Sequence, residues 1–202
     1  MTKRVQGFSQ MRRLKRIIFV LPLLLAVLCV QTSAQQKDEA AQPKAEGFRL
    51  KGLDGKFYDT SEMRGDVLVV SFGATWCVPC TWELVAIEEL KEEYAGKPVR
   101  FLWVNIEDMK RTTNNILRYY VKDRRLTIPV LRDPGGGVLS QYEKTGTRIP
   151  VMVFLDREGR LSAPVHQGMS QDIALYKQMI RDRVNALLGL KQAKAEPTSA
   201  TR

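Results

Sequence analysis

The sequence predicts a three-layer α/β/α sandwich with a mixed central sheet, formed by one domain over residues 47–190. Three observations predict it. Continuous β-branched and aromatic runs alternate with helix-period segments, the pattern of buried strands joined by covering helices. Asp54-Gly55, between residues 48–50 and 56–58, signals an N-terminal β-hairpin extension. A second hairpin around Asp156-Arg157-Glu158-Gly159 precedes a last amphipathic helix, so antiparallel pairs join the sheet.

The elements follow in order. Residues 60–63 have room for one helical turn before Gly65. Residues 67–72 read as a strand covered on both faces. Leu84, Ile87, Leu90 and Tyr94 recur at helical spacing over residues 80–94, and Gly96 ends that helix. Residues 99–105 are a second buried strand, and 112–122 a helix opening near Thr113 or Asn114. A short apolar run, 128–131, leads to Asp133-Pro134 and a Gly loop, then to a short helix over 138–143. Residues 151–155 and 160–165 form the final hairpin. Ser170 is expected to cap the last helix, whose inner face is Ala174, Tyr176, Ile180, Val184 and Leu188.

The flanks are of a different kind. Residues 1–34 carry six basic side chains and no acid, then the apolar run 17–30 and Gln31-Thr32-Ser33-Ala34. A basic start, a short apolar middle and a small residue at the cut make a secretory signal peptide, with a retained N-terminal anchor as the alternative. The 14-residue run is shorter than the roughly 18–20 residues that span a bilayer. The formal charge of +10 invites a nucleic-acid partner, but removing this segment leaves 26 basic against 22 acidic side chains. That balance is ordinary for a soluble domain, and no nucleic-acid partner is expected. Residues 35–46 read as a flexible linker and 191–202 as a polar tail. Cleavage also removes Cys29, so the exported chain would retain only Cys77 and Cys80.

Those two cysteines carry the chemistry. Trp76-Cys77-Val78-Pro79-Cys80 places two thiols at a strand-to-helix junction, the spacing of a reversible disulfide or of half a zinc site. Cys77 would stand just before the helix, where unpaired N–H groups favour a thiolate, and so is the expected nucleophile. Cys80, almost a turn further in, would resolve the mixed disulfide. Pro79 suits a first turn, where its missing N–H is not needed. Trp76 would screen one side of the pair.

Zinc needs two more ligands, and the chain offers no further cysteine after cleavage and one histidine, His166. A Cu(I) site of Cys77, Cys80 and His166 stays formally open; otherwise no metal and no cofactor are expected. Glu83, one turn after Cys80, either handles a proton during exchange or complements the helix dipole. Ile149-Pro150 opens a buried strand, a position where proline is tolerated.

With these residues in view, the stretch 67–80, VLVVSFGATWCVPC, resembles the active-site strand and turn of thioredoxin-like proteins. More narrowly it is similar to the exported TlpA/ResA-type thiol-disulfide oxidoreductases. The Asp54-Gly55 hairpin, Glu83, Asp133-Pro134 before the Gly loop, and Ile149-Pro150 with its following strand fit in order, over about residues 47–189. The resemblance implies that Pro150 is cis and faces the cysteines, that Ile149 presents its backbone to a substrate strand, and that Glu83 modulates thiol ionisation. It implies an exported, periplasmic enzyme that reduces disulfides in partner proteins and is recharged by a membrane-linked thiol donor. A disulfide oxidase or isomerase is the competing enzyme reading.

There are departures from the family pattern. Ser71 stands where thioredoxin has a buried aspartate, and Gly73 replaces an aromatic residue. They imply a site without that buried acid and more open beside Trp76. Ala74 stands where peroxiredoxins have threonine, which disfavours peroxide reduction.

Overall fold

The computed structural model describes residues 47–144 and 148–190. The readings for residues 1–34, 35–46 and 191–202 lie outside these, as does Cys29. Among the described residues seven strands form one sheet, in the order β2 (Phe57–Asp59), β1 (Arg49–Gly52), β5 (Val130–Arg132), β4 (Val99–Asn105), β3 (Val67–Gly73), β6 (Val151–Leu155) and β7 (His166–Gln167). Its centre is β3 (Val67–Gly73), parallel to β4 (Val99–Asn105) and antiparallel to β6 (Val151–Leu155). Every residue of β3 and β6 is buried, as continuous apolar runs require when both faces are covered.

Alternation along the strands separates two cores. Val69, Phe101, Trp103, Met152 and Phe154 pack against three helices: α1 (Val78–Glu93), α2 (Asn114–Asp123) and α4 (Ile173–Leu187). Leu68, Val70, Phe72, Leu102, Val104 and Val153 face the other way. There they meet Phe48, Met63 of a 3₁₀ turn (Thr60–Met63), and Leu139 of the one-turn helix α3 (Leu139–Tyr142). The predicted layers are present, with the second covered by short pieces.

The N-terminal hairpin, β1 (Arg49–Gly52) and β2 (Phe57–Asp59), turns at Asp54-Gly55, where Gly55 takes φ +86°. The run 128–131, which the sequence offered without a strand assignment, supplies β5 (Val130–Arg132). This strand seats the hairpin on the sheet, pairing parallel with β4 and antiparallel with β1.

Two expectations are corrected. The final hairpin does not continue over 160–165. Leu161 bridges Leu155, and the Ser162 N–H reaches the Phe154 carbonyl at 2.8 Å. Pro164 then has no N–H to offer the ladder, and pairing resumes two residues out of step in β7 (His166–Gln167) against Val151 and Met152. The last helix is capped by Asp172, whose carboxylate accepts the Leu175 N–H at 3.0 Å. Ser170 instead accepts the Asp172 N–H through its hydroxyl at 3.2 Å. Among the described residues no helix is long and apolar enough to cross a membrane.

Candidate active site

β3 delivers the chain to the start of α1, and the tight loop between them carries the motif. Cys77 is the N-cap of α1: it is extended, and its Sγ accepts the Cys80 N–H at 3.1 Å. The helix start thus directs a donor at the sulfur expected to be the nucleophile. Cys77 and Cys80 form a disulfide with their Cα atoms 5.2 Å apart. Pro79 is the second helical residue. Cys80 is fully buried and Cys77 is 5 % exposed, so access is from the Cys77 side.

Ile149 packs against the cluster of Ala74, Cys77 and Cys80, and its carbonyl oxygen lies 3.8 Å from Cys77 Sγ. The Ile149–Pro150 peptide is cis, as the resemblance implies, and Pro150 is buried. Proline puts no N–H beside the sulfur. Trp76 does not screen the pair: it is 71 % exposed, with most of its ring in solvent. Nor is the site more open at Gly73. A Cβ there would lie 3.0 Å from Trp103 Nε1 and 3.1 Å from Cys80 Sγ, so both groups border the space an aromatic side chain would need.

Glu83 is not a surface partner of the helix dipole. It is fully buried, and its two carboxylate oxygens accept the hydroxyls of Ser71 on β3 and Tyr176 on α4. Burial pushes its carboxyl up to about 7, against the opposing pull of those two hydrogen bonds. The buried acid that Ser71 removes from β3 is therefore supplied from α1. Tyr176 is raised in turn by burial and by the neighbouring Glu83 charge. Sequence reasoning placed Tyr176 in the core without a role, although a buried hydroxyl calls for a partner.

Glu107 was missed altogether. Just after β4, its carboxylate accepts the Thr75 N–H at 2.7 Å, the Thr75 hydroxyl at 3.0 Å, Asn105 Nδ2 at 2.6 Å and the Thr112 hydroxyl at 2.7 Å. Arg132 ties the same corner, donating to Asn105 Oδ1 at 2.5 Å and to the carbonyls of Glu107 and Thr112. The loop entering the motif is thus fixed two residues ahead of Cys77. A lone glutamate after a strand gave no sequence signal of this.

His166 lies on β7, half-buried, with its ring 5.5 Å from that of Tyr176. Burial holds its imidazole below the usual range, with Arg183 acting in the same sense. The three ligands of the copper reading are not brought together: among the described residues, no three of His, Cys, Asp and Glu gather as a metal site. Ala74 and Ile149 are the apolar residues that cluster with the cysteines.

The comparisons with known proteins agree with this geometry. The Redoxin family matches residues 36–179. The thioredoxin-like protein YneN of Bacillus subtilis is 30% identical over 125 residues, covering 62% of this chain and 70% of that protein. The thiol-disulfide oxidoreductase ResA of Bacillus cereus is 27% identical, covering 64% of this chain and 70% of its own length. Among solved structures, a thiol:disulfide interchange protein of the thioredoxin family from Chlorobium tepidum superposes with a TM-score of 0.62 at 22% identity, covering 75% of this chain and 99% of that one. With a redox-spaced cysteine pair at a helix start, a cis proline beside it and the family match across most of its length, the chain belongs to the Redoxin family and is a TlpA/ResA-type, thioredoxin-like thiol-disulfide oxidoreductase.

Proposed function

We propose that this enzyme is exported and reduces disulfides in partner proteins on the far side of the membrane. The observation that carries the direction is Glu83, buried one helical turn beyond Cys80 with its carboxyl raised to about 7. Above that pH a second buried negative charge opposes a thiolate at Cys80. This weakens the dithiol relative to the disulfide and makes the pair a better electron donor. The likeness to the TlpA/ResA group supports the same direction.

In this reading the Cys77 thiolate attacks one sulfur of a partner disulfide, and the other partner sulfur leaves as a thiolate. Cys80 then gives its proton to Glu83 and attacks Cys77 Sγ. The mixed disulfide breaks, the second partner sulfur leaves with the bonding pair, and the Cys77–Cys80 disulfide forms. Two electrons have passed from enzyme to partner. Trp76, exposed beside Cys77, and the backbone at Ile149 hold the partner segment, while Pro150 keeps an amide away from the sulfur. A membrane-linked thiol donor returns the enzyme to its dithiol form. The N-terminal segment, cleaved or retained as an anchor, supplies the export.

Replacing Cys80 with Ala removes the resolving sulfur and tests the reading. In periplasmic extracts, Cys80→Ala should accumulate disulfide-linked partners at Cys77 that thiol reductant releases, and Cys77→Ala should accumulate none. Absence of any such adduct with Cys80→Ala would overturn the reading.

A further inference from the structure

The close approach between β3 and α1 contains a donor with nothing to bond. Trp103, on β4 in register with Ser71, is fully buried, and its Nε1 has no hydrogen-bond partner. The ring is held in place. It lies 5.6 Å from the Tyr120 ring, and the Tyr120 hydroxyl is tied to the Thr81 hydroxyl of α1 at 2.8 Å. Both Trp103 Nε1 and Cys80 Sγ border the space beside Gly73, each about 3 Å from where a Cβ would stand. A buried indole N–H ordinarily finds an acceptor, because leaving one unbonded is costly. In the disulfide form the neighbouring sulfur is a weak, neutral acceptor.

We propose that the Trp103 indole N–H is the hydrogen-bond donor for the Cys80 thiolate, an acceptor that exists only while the disulfide is open. When a partner thiolate attacks Cys77 Sγ, the Cys77–Cys80 bond breaks and Cys80 leaves with the electron pair. The charge then appears beside the waiting N–H. In the opposite direction Cys80 attacks Cys77 Sγ, the partner sulfur leaves, and the N–H bond to Cys80 is given up. A hydrogen bond to a charged sulfur is roughly twice as strong as one between neutral groups, so the interaction favours the state in which Cys80 carries charge. Trp103 and Glu83 therefore act on one sulfur in opposite senses. Gly73 leaves room for this approach, since a Cβ there would crowd both the indole nitrogen and the sulfur at about 3 Å. This inference rests on thiol exchange at the pair and is independent of its net direction.

The titratable groups around Cys80 are Cys77 and Glu83 of α1, with Tyr176 of α4 bonded to Glu83, Tyr120 of α2 against Trp103, and His166 of β7 against Tyr176. All are retained in the test. Trp103 is replaced by Phe, and separately by 3-benzothienylalanine, which keeps the shape of indole but has sulfur in place of N–H. Reduced protein is mixed with 5,5′-dithiobis(2-nitrobenzoate) by stopped flow across pH. The first thionitrobenzoate released reports attack by Cys77, and the second reports resolution by Cys80.

With benzothienylalanine, the pH midpoint of the second step should rise by about one unit, while that of the first stays in place. Below the midpoint the second step should slow about fourfold, since tenfold less thiolate is partly offset by its greater nucleophilicity. An unchanged second step would overturn the proposal, and so would an equal shift of both steps. Should neither variant fold, the wild-type Trp103 indole ¹⁵N–¹H resonance decides. It should move as reduced protein is titrated through the Cys80 midpoint, and a static resonance would overturn the proposal.

Discussion

Thr75 gives both its backbone N–H and its hydroxyl to one carboxylate, that of Glu107, at 2.7 and 3.0 Å. This pair joins the end of β4 to the loop that presents Cys77. Burial pushes the Glu107 carboxyl up, but the Thr75 N–H and the Asn105, Thr112 and Thr75 side chains outweigh it and hold the group below its usual value. Replacing Glu107 with Ala should lower unfolding free energy by about 1–3 kcal/mol, the cost of leaving buried donors unbonded. Urea denaturation measures that loss. Because the folded carboxyl is the more acidic, its contribution is present at neutral pH and lost as pH falls through the folded value. The same variant should slow alkylation of Cys77, since the loop is no longer fixed.

Glu83 gives the opposite pH dependence. Its folded value, about 7, is above the ordinary 4.5, so its share of stability is complete below about pH 4.5 and is lost as pH rises to about 7. The loss across that window is about 3 kcal/mol, at roughly 1.4 kcal/mol per unit. Glu83→Gln should flatten the pH–stability curve between those limits. A curve of wild-type steepness in the variant would remove Glu83 as its source.

Tyr176 supplies one of the two hydroxyls that oppose the burial of Glu83. Tyr176→Phe should therefore raise the Glu83 carboxyl further and move its titration, followed by infrared absorption of the carboxyl band, to higher pH. Thermal denaturation should show a loss of about 1.5–3 kcal/mol above pH 7, where a charged acceptor has lost its donor.

Gly73→Ala would insert a methyl group 3.0 Å from Trp103 Nε1 and 3.1 Å from Cys80 Sγ. Neither neighbour is the free end of a flexible chain. Overpacking of this kind costs about 1–3 kcal/mol, and the variant should unfold at lower urea. The disulfide form should lose more than the dithiol form, whose Cys80 is free to rotate.

Much of the fold was legible because its signals are local. The unbroken apolar runs of β3 and β6, the Asp54-Gly55 turn and the helical spacing of Leu84, Ile87 and Leu90 each fix an element without reference to the rest. The two cysteines, with Cys77 at a helix start, were legible for the same reason. Long-range partners were not. Glu83 meets Ser71 and Tyr176, the latter 93 residues away, and Glu107 meets Thr75 across 32. Only the assembled sheet brings these together. Gly73 was misread because its neighbours, Trp103 and Cys80, are supplied by other elements. The final hairpin was misread because the alternating pattern of 160–165 was followed through Pro164, although a proline has no N–H to pair.

The claim that Cys77 and Cys80 act as an electron donor is tested most directly by their reduction potential, measured at pH 7 by equilibrating the enzyme with glutathione buffers and separating dithiol from disulfide after thiol alkylation. The proposed function predicts a strongly reducing pair, near the roughly −270 mV of thioredoxin. A value near −120 mV, that of strongly oxidising members of the fold, would contradict it.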